Sequence, residues 1–200
     1  MARSMQKRAL QTRANLLAAA EEIIAESGFE ALRVEEVVLR AGTAKGTFFA
    51  HFRDKDAMMD LIIGPRMDSV LEQMITDVPP ASVEAVADSL MPLAEQMTCE
   101  RYVFDVILRY SGAAAVEEIG PIANAFGRMI EVFAAWCDDG KFREDISADL
   151  QAEGIQAFLL QAMAANFCAL HNTTSIKDRL IPYLKAWLEP VASRQELSER

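Results

Sequence analysis

Apolar residues recur along this chain three and four positions apart, and no stretch alternates apolar with polar strictly enough to form a strand. An all-α chain of about nine helices is therefore predicted. Leu10, Ala14, Leu17 and Ile24, with Leu16, Ala20 and Ile23 beside them, make the first stripe. Gly28 supplies the left-handed residue that ends a helix, and Phe29 can fold back on its last turn. A short second helix fits residues 34–41, with Glu35, Glu36 and Arg40 outward, Val37, Val38 and Ala41 inward, and Gly42 as its stop. Thr43 stands where its hydroxyl would cap a third helix, and Asp54 where it would cap a fourth running through Met58, Leu61 and Ile62. Gly64-Pro65 is expected to kink or interrupt that fourth helix.

Beyond Pro79-Pro80 the helices lengthen and the surface turns acidic. Ser82 and Ser147 are placed as caps. Ile122, Phe126, Met129, Ile130, Phe133 and Cys137 form a strong stripe ended by Asp138-Asp139-Gly140. Residues 155–170 are apolar on nearly every face, and a last helix carries Ile176, Leu180, Leu184, Leu188 and Val191, with Pro182 expected to bend it. The division predicted is a three-helix head, residues 1–55, and a larger helical body, residues 56–200.

The segment AGTAKGTFFAHFRDKD, residues 41–56, raises the functional question. At about 100° per residue, Phe48 and Phe52 share one stripe and should pack on the first two helices. Gly46, Thr47 and Ala50 fall opposite, Phe49 and His51 flank them, and Lys45 sits in the first turn. Two short helices joined by a Gly turn, the second presenting small and hydrogen-bonding residues, make a helix-turn-helix pattern. Gly46 costs a helix roughly 1 kcal/mol against Ala, which a close approach of backbone to another molecule would explain. Thr47 can donate to phosphate or meet a thymine methyl, and Lys45 can reach a guanine edge or a phosphate. Lys55, just inside the fourth helix, is placed to hold a phosphate together with free helix amides.

A formal net charge of −10 seems to oppose nucleic acid, but its distribution does not. Residues 1–60 carry nine Lys/Arg and nine Asp/Glu, and residues 61–200 carry eleven against twenty-one. The whole acidic excess lies in the later part, and Arg3, Lys7, Arg8 and Arg13 precede the first acid. Cys99, Cys137 and Cys168 are an odd, widely spaced set among apolar residues, read as buried free thiols of a reducing cytoplasm. Neither an N-terminal apolar h-region nor a bilayer-length stretch is present, so no membrane association is expected.

The runs AAAEEIIAESGFEAL, VEEVVLRAG, AKGTFFAHF and DKDAMMDLI occur in that order and spacing between about residues 11 and 63. So ordered, they resemble the DNA-binding domain of TetR-family bacterial transcriptional repressors. Later sequence, chiefly GKFREDISADLQAEGIQAFLLQ, is loosely similar to that family's ligand-binding domain. The resemblance implies a two-domain, all-helical subunit that dimerises through its last two long helices and leaves a double-stranded DNA operator when a small effector binds. It also assigns Lys45, Gly46, Thr47, Phe49 and His51 to groove and phosphate contacts, and Lys55 to phosphate. Four positions depart from the family pattern, among them Phe49, which replaces the frequent Tyr and removes a hydroxyl donor to phosphate, leaving only contact with sugar. Arg33 replaces the usual Ser/Thr cap, so that either the cap is lost or Arg33 itself reaches phosphate. Ala44 shifts the capping role to Thr43, and Ala50 is small where the family is often larger.

In the body, Met91, Met97, Phe104, Phe126, Met129, Phe133, Trp136, Met163 and Phe167 are core residues first, some of which would line a largely apolar effector cavity. Arg101, Tyr102, Arg109 and Tyr110 are read as surface or interface pairing. Phe158, Leu159, Ala162, Leu180, Leu184, Trp187 and Leu188 are the predicted homodimer patch. His171 is read as a helix-end residue. With two histidines and none of the G-x-S-x-G, Walker or H-E-x-x-H motifs, neither an enzyme nor a cofactor or metal is expected. The alternative is a helical interaction or small-molecule carrier module that keeps the head only as scaffold.

Overall fold

The structure, a computed structural model, describes residues 2–112, 119–138, 140–170 and 173–189. Among them are nine helices and no strand: α1 (Ala2–Ser27), α2 (Val34–Arg40), α3 (Lys45–His51), α4 (Lys55–Thr76), α5 (Val83–Thr98), α6 (Arg101–Tyr110), α7 (Pro121–Cys137), α8 (Ala148–Asn166) and α9 (Ile176–Leu188). No helix among the described residues is long and apolar enough to cross a membrane.

Local capping starts four of these helices. Asp54 accepts from the Ala57 amide at 2.7 Å, Ser82 from Ala85 at 3.2 Å, Ser147 from Leu150 at 3.3 Å and Ser175 from Asp178 at 3.0 Å. Gly28 and Gly42, at φ of 84° and 65°, turn the chain out of α1 and α2. Neither Gly64-Pro65 nor Pro182 breaks its helix: α4 and α9 run through both. Gly64 serves packing instead, because a Cβ there would collide with Pro121 and the Ile122 amide.

The chain divides into two compact units. One comprises α1–α3, α4 as far as Arg66, and the stretch from Cys99 to Asn124, which includes α6. It takes in more chain than residues 1–55. In it Leu16, Ala20 and Ile23 form the buried stripe of α1, whereas Leu10, placed in the first stripe by its spacing, is 63% exposed. The two stripes are neighbours on one long helix, and the first meets the core only toward its C-terminal end, where Leu17 is half-buried and Ile24 buried. Glu100, at the start of α6, accepts from the amides of Phe29 and Glu30 at 2.7 Å each and so closes the corner after α1. Asp56 accepts from Tyr102 at 2.7 Å and pairs with Arg109, tying α4 to α6.

The other unit holds the rest of α4 and α7 with α5, α8 and α9. Leu180, Leu184 and Leu188, one turn apart, are fully buried, as are Leu159 and Ala162 of α8. Each buried leucine contributes about 1.5–3 kcal/mol relative to exposure. Lys177–Asp88 and Lys185–Glu84 pairs flank this contact of α9 with α5. The three cysteines are free; Cys137 is buried and Cys168 half-buried, but Cys99 is exposed, contrary to its apolar setting in the sequence. His171 and Val191 lie outside the described residues.

Candidate nucleic-acid interface

α3 is short, and its position is set by two rings. Phe48 is fully buried and Phe52 nearly so, their centroids 5.3 Å apart, with Val37 and Val38 of α2 buried as well. The Thr43 amide donates to the Val38 carbonyl at 2.9 Å, which fixes the turn between the helices. With one face spent on packing, the other is left to solvent: Lys45, Gly46 and Ala50 are exposed, Phe49 is 51% exposed, and Thr47 and His51 are half-buried. A Cβ added to Gly46 would meet nothing within 4 Å. Packing inside the chain therefore does not account for a glycine there.

The cap assigned to Thr43 is not formed. Ala44 is the N-cap of α3 and offers no side-chain acceptor, while the Thr43 hydroxyl donates to the Ala44 carbonyl at 3.4 Å. A hydroxyl one residue before the N-cap points back along the turn rather than at the helix amides. Arg33 is the N-cap of α2, also without a side-chain bond, so that cap is lost. Its guanidinium donates instead to the carbonyls of Glu30, at 2.5 Å, and Leu32, at 3.1 Å.

The cations around this face are not equally free. Lys45 pairs with Glu35 of α2 at 2.5 Å, and that hydrogen bond holds the Glu35 carboxyl below its usual range. Arg40 grips Glu26 of α1 in bidentate fashion, at 2.7 and 2.8 Å, and locks α2 onto α1. Lys55 is half-buried, its ammonium 3.8 Å from the Tyr102 ring centroid and 3.5 Å from the Leu32 carbonyl. Burial first, and the neighbouring Arg33 charge second, push the Lys55 pKa down. Arg53 is shared between Asp54 and the Tyr110 hydroxyl, each at 3.0 Å. The residues read as pairing in α6, Arg101, Tyr102, Arg109 and Tyr110, thus find partners: Arg101 meets Asp105, and the other three meet Asp56 or Arg53.

The structure gathers Lys45, Gly46, Thr47, Phe49, Ala50 and His51 on one short helix and brings Arg33 and Lys55 together at Leu32. Sequence reading missed the Glu35–Lys45 pair and the Glu100 strap. By spacing Glu35 is only an outward residue, and its partner is ten positions away; Glu100 is 70 and 71 positions from its partners, and nothing local marks it. Among the described residues no His/Cys/Asp/Glu cluster could hold a metal.

In the larger unit, Met97, Phe126, Met129, Phe133 and Met163 are buried, and so is Phe104 of α6; Met91 and Phe167 are half-buried. Trp136 lines a cleft of about 290 Å3 with Val70, Met74, Val78 and Pro92, and with Asp77 and Asp88. Five of the seven residues predicted to meet a second copy cannot do so: Leu159, Ala162, Leu180, Leu184 and Leu188 are all fully buried within the chain, consumed by the packing of α5, α8 and α9. Phe158 and Trp187 remain half-buried; Phe158 stacks on Tyr183 with centroids 5.4 Å apart and meets Trp187 edge-on at 6.0 Å. Trp187 reaches the Gln151 carbonyl through its indole N–H at 3.1 Å, over Gly154, where any Cβ would collide with the indole.

Known proteins resemble the chain in the same places. The family model for bacterial regulatory proteins of the tetR family matches residues 16–62, the segment from α1 through most of the first half of α4. The HTH-type transcriptional regulator YvdT of Bacillus subtilis is 36% identical over 59 residues, 30% of each chain, so the match spans less than a third of that relative's length. The HTH-type regulator UidR of Escherichia coli is 24% identical over 158 residues, 78% of this chain and 80% of that one. Among solved structures, the Thermus thermophilus FadR, a TetR-family transcriptional repressor in complex with lauroyl-CoA, shares the fold with a TM-score of 0.63 at 17% identity, covering 90% of this chain and 97% of that one. A helix-turn-helix segment matched by the tetR family model thus sits within an all-α fold that solved structures share along nearly the whole chain.

Proposed function

We propose that the protein is a homodimeric transcriptional repressor that lays α3 in the major groove of an operator and is released by a small-molecule effector. The observation that carries this reading is the open face of α3, where Gly46 has nothing above it while Phe48 is sealed beneath. Lys45, Thr47, Phe49, Ala50 and His51 share or border that face and would meet bases and backbone, with Thr43 at its edge. Arg33 and Lys55, two cations on one carbonyl, would receive a phosphate. The residues 1–55 would act as the DNA-binding domain and 56–200 as the effector-binding and dimerisation domain.

The surface proposed for the second copy is the aromatic group Phe158, Tyr183 and Trp187 with the partly exposed Leu150. The effector is proposed to be largely apolar and to enter beside Trp136, where the cleft measures about 290 Å3. It would act through unequal affinity for DNA-competent and DNA-incompetent arrangements of the dimer. The test is fluorescence anisotropy or gel shift against promoter fragments neighbouring the gene. Tight binding that falls steeply with salt is expected, and is weakened in Lys45→Ala and Lys55→Ala. Equal binding by both variants on every fragment would remove the reading.

A further inference from the structure

A half-open cleft of about 380 Å3 lies in the first unit at the end of α3, lined there by His51 and Phe52. Its chemistry is unlike that of the Trp136 cleft. Asp60 is only 6% exposed yet lines this cleft. Its Oδ1 accepts from the Ile122 amide at 2.9 Å, and its Oδ2 lies so close to Gly120 that a Cβ there would collide with it. No donor among the described residues reaches Oδ2. Burial pushes the Asp60 carboxyl pKa up, as expected for a charge short of donors. Two guanidiniums border the same space. Arg13 lies over the Phe52 ring, 5.3 Å from its centroid, with no carboxylate partner among the described residues, and Arg53 is held by Asp54 and the Tyr110 hydroxyl. Phe52 and Leu61 supply apolar wall.

A carboxylate oxygen that has no donor and stays open to the cleft, a guanidinium without a carboxylate partner and an aromatic wall define complementary requirements. The ligand must bring an anion, a flat apolar body and a hydroxyl or N–H donor, and the volume suits a molecule of modest size. We propose that this cleft binds small hydroxylated aromatic carboxylates, with the carboxylate on Arg13, the ring against Phe52 and Leu61, and the hydroxyl donating to Asp60. The site shares no lining residue with the cleft beside Trp136. Phe52 ends α3, so an occupant would bear on the helix that faces DNA, an effect that rests on the proposed function, whereas the binding itself does not.

The chain has three tyrosines, Tyr102, Tyr110 and Tyr183, of which Tyr110 lines the cleft. Protein carrying 3-fluorotyrosine, its 19F signals assigned by Tyr→Phe variants, is titrated with 4-hydroxyphenylacetate to millimolar concentration. The Tyr110 signal is expected to shift saturably while Tyr183 stays still. Arg13→Ala, Asp60→Asn, the ligand without its hydroxyl (phenylacetate) and the ligand without its carboxylate (tyrosol) each weaken binding by about tenfold or more. A still Tyr110 signal, or affinity unchanged by both variants and both analogues, would overturn the site. Arg13→Ala alters an exposed side chain and keeps the test valid if Asp60→Asn fails to fold. Gel shift of the ligand-free protein, run alongside, reports separately on DNA binding.

Discussion

Arg33 and Lys55 donate to the same acceptor, the Leu32 carbonyl, from 3.1 and 3.5 Å, and the Arg33 charge helps push the Lys55 pKa down. Two cations held this close gain from any anion that joins them. Lys55→Ala should weaken operator binding about uniformly across sequences and reduce the slope of log affinity against log salt by about 0.9, as for one lost phosphate contact. Anisotropy titrations at several salt concentrations measure both quantities.

Gly46 separates folding from binding. Gly46→Ala should stabilise the free protein by up to about 1 kcal/mol, raising Tm by roughly 2–4 °C, because the added methyl meets nothing. The same methyl would enter the space a base edge needs, so affinity for the operator should fall by about tenfold or more. A variant that is more stable and binds equally well would count against the open face as a contact surface.

On the proposed reading, Glu35 would compete with DNA for Lys45. Glu35→Gln frees the ammonium, and gel shift at low salt should show tighter binding with reduced discrimination between operator and random DNA, while thermal unfolding hardly changes because both partners are exposed.

Asp60 gives a pH signature. Its folded pKa is raised by burial, so the folded state prefers the neutral acid. The resulting stability is present in full below the unfolded pKa and is lost as pH rises through the folded pKa. Asp60→Asn, neutral throughout, should therefore gain stability relative to wild type as pH is raised from acid to neutral. Denaturant unfolding at a series of pH values measures that difference.

The two groups of residues on α8 and α9 should part company. Leu184→Ala opens a cavity and should cost about 2–5 kcal/mol of stability. Phe158→Arg places a charge in the half-buried aromatic group and should yield monomers by analytical ultracentrifugation with the helical spectrum retained.

What the sequence made legible was local. Phe48 and Phe52 lie four apart on one helix, and Asp54, Ser82 and Ser147 cap helices that begin at the next residue, so spacing alone locates them. The candidate face of α3 follows from the same periodicity. Long-range geometry was not legible: the partners of Asp60 and Glu100 lie 62 to 71 positions away. Nor does spacing say what an apolar stripe meets. Leu180, Leu184 and Leu188 look the same on paper whether they face a second copy or α5 and α8 of their own chain.

The Glu100 carboxylate has a practical corollary for anyone building hybrid regulators. The corner after α1 is fastened by a residue at the start of α6. A head cut out near residue 55 and grafted onto a foreign sensor would carry two orphaned amides, at Phe29 and Glu30, in place of that clasp. Chimaeras that transplant the α6 start along with the head keep donor and acceptor matched, and they are the ones in which specificity can be exchanged without loosening the scaffold that presents it.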